Sequence, residues 1–199
     1  MCLPVEMDVD NEASIQAGVA AVLEKYGRID VLINNAGYGL QGTIEEVAMK
    51  QVRAQMETNF FGLFSVTQAV LPTMRNQKSG YIVNVASIAG LRGSPTFGAY
   101  NASKFAVVGL SEALAQEVAP FGIRVSIVEP GPYRTDWAGS SLKRSEAMGE
   151  SEEGSPYQEL NSNFKEMLDA RAGKQLSLIH ISEPTRPLYI SYAVFCLKK

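Results

Sequence analysis

The chain has 199 residues, 46% of them hydrophobic and 20% charged, with a formal net charge of -3. This is enough chain for one domain with a sizeable core, and the composition is that of an ordinary globular protein. The weak acidic balance offers no footprint for nucleic acid, no apolar run reaches the ~18 residues that span a bilayer, and Cys2 and Cys196 form neither a disulfide framework nor a metal-ligand cluster.

A start without a basic-then-apolar leader, together with so few cysteines, points to a cytoplasmic protein with reduced thiols. Leu3 to Val9 is a short apolar stretch expected to be a strand. Asn11 to Tyr26 carries Ile15, Val19, Val22 and Leu23 at helical spacing, and Gly27 is a helix stop. Ile29 to Ile33 is a nearly continuous apolar run, as expected of a strand buried on both faces, and it ends in Asn34-Asn35-Ala36-Gly37. Glu45 to Met74 reads as one long helix with two apolar faces, the second supplied by Phe61 and Phe64. Tyr81 to Ala86 is the next strand, Ala99 to Ala119 a second long helix, and Ile123 to Val128 a strand leading into Glu129-Pro130-Gly131. From Trp137 to Gln175 the pattern weakens, and Ser140 to Ser155 reads as a mobile loop or a poorly ordered helix.

The last segment changes character. Leu176 to Arg186 and Ile190 to Leu197 each fit the translation of a constant part of a transposase-type sequencing adapter. The residues between fit a variable index, and Lys198-Lys199 fit a run of A. The rival reading is a native β-prone C-terminal strand, but two long in-frame matches in the right order weigh against it. Residues 176–199 are therefore excluded from fold reasoning, leaving 1–175 as the domain. The only histidine, His180, falls in that tail, so a general acid or base must be sought elsewhere.

Alternating strands and helices predict an α/β fold with a Rossmann-like, doubly wound parallel sheet, and ligands in such sheets lie outside the carboxyl ends of the strands. Asn35-Ala36-Gly37, Ser87 and Pro130-Gly131 all fall on that edge. Tyr100 and Lys104, at i and i+4 of one helix, share a face. An ammonium beside a phenol favours phenolate, bringing a group of ordinary pKa ~10 nearer to neutrality. Ser87 at a strand end can then hold a carbonyl oxygen between itself and Tyr100, giving an acid/base device without histidine. A half-buried tyrosine, a solvated lysine and a capping serine make the bland alternative.

Asn34-Asn35-Ala36-Gly37, Thr58-Asn59, Ser87, Tyr100-Asn101-Ala102-Ser103-Lys104 and Pro130-Gly131 stand in the order and spacing of the short-chain dehydrogenase/reductase family, which the chain resembles from Leu3 to about Trp137. The resemblance implies an NAD- or NADP-dependent oxidoreductase acting on a small alcohol or ketone, with no metal. It makes Tyr100 the proton donor or acceptor and Ser87 the group that orients the substrate oxygen. Lys104 would bind the nicotinamide ribose and depress the Tyr100 pKa. Asn59 would hold a relay water, with a polar residue that bends its helix as the lesser alternative. By the same resemblance Asp8, with Val9 beside it, accepts from the adenine; a helix-capping aspartate reads the position equally well. Asn35, Ala36 and Gly37 approach the adenosine ribose. Pro130, Gly131, the Tyr133 backbone and Thr135 hold the carboxamide, though the family more often has an aliphatic residue where Tyr133 stands.

No Gly-x-x-x-Gly-x-Gly phosphate turn is present. Leu3 to Val9 resembles the family's third strand, so the chain is expected to be a fragment lacking the first two strand-helix units and the last strand. In the doubly wound order 3-2-1-4-5-6 the third strand then loses its neighbour. Leu3 to Val9 should be unpaired, Ile29 to Asn34 an open edge, and the strands at Ile29, Tyr81 and Ile123 parallel neighbours. The parent protein is expected to be a homo-oligomer through its two long helices. Two other readings stay open: a non-catalytic dinucleotide-binding regulator, and a polypeptide inert as given.

Overall fold

The computed structural model describes residues 3–131, 141–146 and 155–171. In chain order the elements are α1 (Glu12–Tyr26), β1 (Val31–Asn34), β2 (Gly39–Gln41), α2 (Met49–Met56), α3 (Leu63–Gln77), β3 (Gly80–Val85), α4 (Gly98–Val118), β4 (Ile123–Val128), β5 (Leu142–Arg144) and α5 (Gln158–Arg171).

The chain enters through an extended segment that joins no sheet, so the strand expected over Leu3–Val9 does not form. Without a partner strand its backbone has nothing to pair with, and it is held by side-chain packing instead: Met7 and Val9 lie against the core. Val9 comes so close to Gly62 that a Cβ there would stand 2.8 Å from the Val9 carbonyl, which only glycine permits. Asn11 is the N-cap of α1, accepting from the Ser14 backbone N–H at 3.0 Å. Gly27 closes that helix by donating to Leu23 O at 2.8 Å.

Strands β1, β3 and β4 form a parallel sheet in the order β1-β3-β4, with Val31 opposite Tyr81 and Gly80 opposite Ile123. The expected parallel neighbours are thus present, and among the described residues β1 pairs on one side only. The helices lay apolar faces on the sheet. Ile15, Val70, Met74, Ile82, Leu114 and Ile123 belong to one buried cluster, with Met74 and Ile82 at 0% exposure. Each such side chain stabilises the fold by about 1.5–3 kcal/mol relative to leaving it in water.

The single helix expected over Glu45–Met74 is broken. Residues 43–47 instead form a turn, closed by Val47 N–H donating to Thr43 O at 3.0 Å. A π-helical turn, Glu57–Gly62, then separates α2 from α3. The extra residue of that turn shifts the helical phase, which is why Phe60 is half-buried while Phe61 faces solvent. The sequence reading also misses the two-stranded parallel sheet β2–β5, with Gly39 opposite Leu142, and helix α5. Three-residue strands are too short to display a period of two. The tail 176–199 lies outside the described residues. Among the described residues no helix is long and apolar enough to cross a membrane.

Candidate active site

Asn34, the last residue of β1, and Asn84 of β3 are register partners, and both are buried. Asn34 Nδ2 donates to Asn84 Oδ1 at 2.9 Å and to Thr67 Oγ1 at 3.0 Å. Asn84 Nδ2 donates to Ser111 Oγ at 2.9 Å. The Thr67 and Ser111 hydroxyls donate in turn to Leu63 O and Val107 O of their own helices. This satisfied polar ladder ties α3, β1, β3 and α4 together just beneath the carboxyl edge of the sheet. The sequence reading missed it, although an asparagine inside the apolar run Tyr81–Val85 is a visible signal.

Immediately above that ladder the chain presents the expected residues. Ser87 follows β3 and begins a short 3-10 turn, its Oγ accepting from Ala89 N at 3.1 Å. The capping reading of Ser87 is therefore true, but the hydroxyl also lies near enough to Tyr100 to lower the phenol's pKa. Tyr100 lies in the first turn of α4 and is 6% exposed. One turn on, Lys104 is equally buried, its Nζ 5.9 Å from the Tyr100 ring centroid and donating to Val85 O at 2.9 Å.

The electrostatics of the pair differ from the sequence expectation. Burial pushes the Lys104 ammonium down to about 8. Burial also raises the Tyr100 phenol above its ordinary value, and the Ser87 hydrogen bond offsets this only in part. On balance Tyr100 therefore stands above its ordinary value rather than below it. Desolvation disfavours both charged forms, and the ammonium is turned toward the Val85 carbonyl.

Asn59 occupies the π turn and is 1% exposed. Its Nδ2 donates to Tyr38 O and to Ser103 Oγ, both at 3.0 Å, and its Oδ1 accepts from Tyr38 N at 2.9 Å. Ser103 Oγ donates to Tyr100 O at 2.8 Å, so Asn59 reaches the tyrosine helix through one hydroxyl. Both side-chain amide protons of Asn59 are committed. Tyr38 was not singled out from the sequence and Ser103 only as a member of the Tyr100–Lys104 motif, because their roles depend on neighbours that only the fold supplies. Asn101 does comparable work, donating to Ala89 O and Arg92 O while accepting from Ser94 N, which anchors the loop after Ser87. That loop ends at Thr96, a buried β-branched residue at φ 64 whose strain sits four residues before Tyr100.

The remaining expected residues ring this centre. Asn35, Ala36 and Gly37 are exposed beyond β1. At Gly37 a Cβ would stand 3.0 Å from Asn59 Oδ1 and 3.7 Å from Lys104 Nζ, so the turn packs directly on both. Asp8 is exposed, its carboxylate accepting from Asp10 N at 3.0 Å, and the helix cap falls to Asn11 instead. Val9 abuts the π turn through Gly62. Pro130 O accepts from Ile88 N at 3.1 Å, bringing Pro130-Gly131 beside Ser87. Tyr133 and Thr135 lie outside the described residues. Asn59, Ser87, Tyr100 and Lys104 thus converge at one place, with Gly37 on one flank and Pro130 on the other.

A family model described as short chain dehydrogenase matches residues 1–146. Among curated relatives, the chain is 43% identical over 175 residues to oxidoreductase BOA17 of Botryotinia fuckeliana, covering 88% of this chain and 62% of the relative. It is 46% identical over 147 residues to 3-ketodihydrosphingosine reductase of Bacteroides thetaiotaomicron, covering 74% and 54%. The chain thus spans roughly half to three fifths of the length of these relatives. A crystal structure of a short-chain dehydrogenase from Streptomyces avermitilis superposes with TM-score 0.74 at 40% identity, covering 83% of this chain and 59% of that one. NAD+-bound xylitol dehydrogenase superposes with TM-score 0.61 at 38% identity, covering 63% and 50%. A gluconate 5-dehydrogenase from Burkholderia cenocepacia in complex with NADP and tartrate superposes with TM-score 0.65 at 30% identity, covering 67% and 52%. With motifs, fold and relatives in agreement, the chain belongs to the short-chain dehydrogenase family.

Proposed function

We propose that residues 1–175 are the catalytic part of an oxidoreductase that moves a hydride between NAD or NADP and a small alcohol or carbonyl compound. The observation that carries this reading is the grouping of Ser87, Tyr100 and the buried Lys104, with the Ser87 hydroxyl near enough to lower the Tyr100 pKa. A regulator that only senses a dinucleotide has no need of that trio.

The residues present suit the nicotinamide-ribose half of such a cofactor. Lys104 Nζ uses one of its three donors on Val85 O, which leaves two for ribose hydroxyls. The exposed Asn35-Ala36-Gly37 turn offers a surface without bulky side chains for the adenosine ribose, with Asp8 and Val9 beyond it for the adenine. Pro130 and Gly131, with Tyr133 and Thr135, are assigned to the carboxamide. When bound, the nicotinamide supplies or accepts the hydride.

This chain's own residues do the proton chemistry. A substrate oxygen placed between the Ser87 and Tyr100 hydroxyls accepts a hydrogen bond from each. In reduction Tyr100 gives its proton to that oxygen as charge develops there; in oxidation it takes the proton back. Burial keeps Tyr100 a phenol in the cofactor-free chain, which is the donor form. Lys104 stabilises the phenolate left behind. Asn59 holds Ser103, and through it the first turn of α4, in register with the Gly37 turn. The whole protein is proposed to be a cytoplasmic homo-oligomer, and residues 176–199 a non-native addition.

The test is Tyr100→Phe. In a protein extended to the length of the relatives, it should lower turnover of NAD(P)-linked alcohol oxidation or carbonyl reduction by at least ~100-fold with little change in cofactor affinity. Retained turnover in Tyr100→Phe would overturn the assignment.

A further inference from the structure

Gln55, on α2 one turn before Asn59, is 0% exposed. Its Nε2 donates to Tyr38 O at 3.0 Å, the same carbonyl that Asn59 Nδ2 grips at 3.0 Å. Asn59 Oδ1 holds the N–H of the same residue. Tyr38 is therefore pinned by three hydrogen bonds from two side chains. Its ring is held from the other side by Lys143 of β5, whose Nζ lies 4.0 Å from the ring centroid.

The oxygen of Gln55 finds no hydrogen-bond partner among the described residues. A methionine of similar volume would fill the position without leaving a buried acceptor unpaired, so stability does not call for glutamine here. What glutamine alone contributes is the Nε2 donor to Tyr38. Tyr38 directly follows Gly37, the residue that packs on Asn59 Oδ1 and Lys104 Nζ. A shift of the Tyr38 peptide therefore moves the turn that shields the ammonium.

We propose that Gln55 is a positioning residue: with Asn59 it clamps the Tyr38 peptide and so holds the Gly37 turn closed against Lys104. Among the described residues, the Val85 carbonyl, the Tyr100 ring and the Gly37 turn face the ammonium. The Lys104 pKa is depressed by burial. Loosening the turn lets water reach the ammonium and restores its ordinary titration.

The experiment is a side-chain NMR titration of Lys104 in the full chain, wild type against Gln55→Met. The expected result is an alkaline shift of the Lys104 midpoint on the order of one pH unit in the variant. Coincident curves would overturn the proposal. Should Gln55→Met not fold, hydrogen exchange of the Gln55 side-chain amide in the wild type decides. It should be slower than that of the exposed Gln68, and equal rates would also overturn the clamp. The positioning role rests on the catalytic reading of Lys104. If the extended wild-type protein shows no turnover, that reading fails, while the titration still decides whether the clamp exists. If it turns over, the pH profile of kcat in Gln55→Met should move alkaline with Lys104, and an unmoved profile refutes the role.

Discussion

The Ser87 hydroxyl acts on the Tyr100 phenol although one follows a sheet strand and the other lies in the first turn of a helix thirteen residues later. Two independent restraints bring them together. Pro130 O accepts from Ile88 N and holds the serine turn against the end of β4, and Asn101 ties the intervening loop to the first turn of α4. The meeting is thus built from backbone carbonyls and the buried side-chain amide of Asn101.

The buried ammonium makes stability depend on pH in a defined direction. Lys104 titrates at about 8 in the folded chain, against ~10.4 for an unfolded lysine. Between those values the unfolded chain binds more protons, so stability rises with pH across the window, and below about 8 the full destabilising contribution is present. Tyr100, raised by burial, acts in the opposite sense only above its ordinary value. Urea unfolding near neutrality and below pH ~10 should therefore show the wild type gaining on Lys104→Met by a few kcal/mol at most, on the order expected for a shift of this size. Parallel behaviour of the two proteins would contradict the burial of a charged Lys104.

The Asn34–Asn84 pair should be energetically coupled. Asn84→Ala leaves the buried Asn34 amide short of an acceptor, at a cost of about 1–3 kcal/mol. In a double-mutant cycle with Asn34→Ala, an interaction of about 0.5–3 kcal/mol is expected from chemical denaturation. Strict additivity would mean that the ladder is a set of independent contacts.

Phe61, Phe64 and Phe105 are exposed on the π turn, α3 and α4 at 49%, 36% and 46%. Exposed aromatic rings on these helices suit a self-complementary interface. The full-length parent is expected to be oligomeric by light scattering, and Phe61→Glu with Phe105→Glu is expected to dissociate it. A wild-type parent that is strictly monomeric would remove this reading.

The segment 176–199 is expected to contribute nothing to the fold. Deleting it should leave the thermal unfolding midpoint of the chain unchanged. A clear loss of stability on deletion would favour the native-strand reading of Tyr189 to Leu197.

Much of this molecule was fixed locally by its residues. A nearly continuous apolar run named the strand at Ile29, because a strand buried on both faces has no polar side to show, and β-prone stretches marked those at Tyr81 and Ile123. Helical spacing located α1 and α4, and Asn11 and Gly27 marked the ends of α1 through capping chemistry. The grouping of Ser87, Tyr100 and Lys104 was legible because strand ends and helix faces follow from periodicity alone. Other features depended on partners distant in sequence. Leu3–Val9 has strand-like residues but no strand beside it, and pairing is a property of two segments. The π turn at Asn59 packs its Gly62 on the distant Val9, β2–β5 joined residues a hundred positions apart, and the roles of Gln55, Tyr38 and Ser103 appeared only where three elements met. The protonation balance was decided last and entirely by tertiary structure. Proximity on a helix predicted that Lys104 would lower the Tyr100 pKa, but burial of both side chains outweighed that attraction, since desolvation depends on everything that surrounds a group rather than on its nearest neighbour.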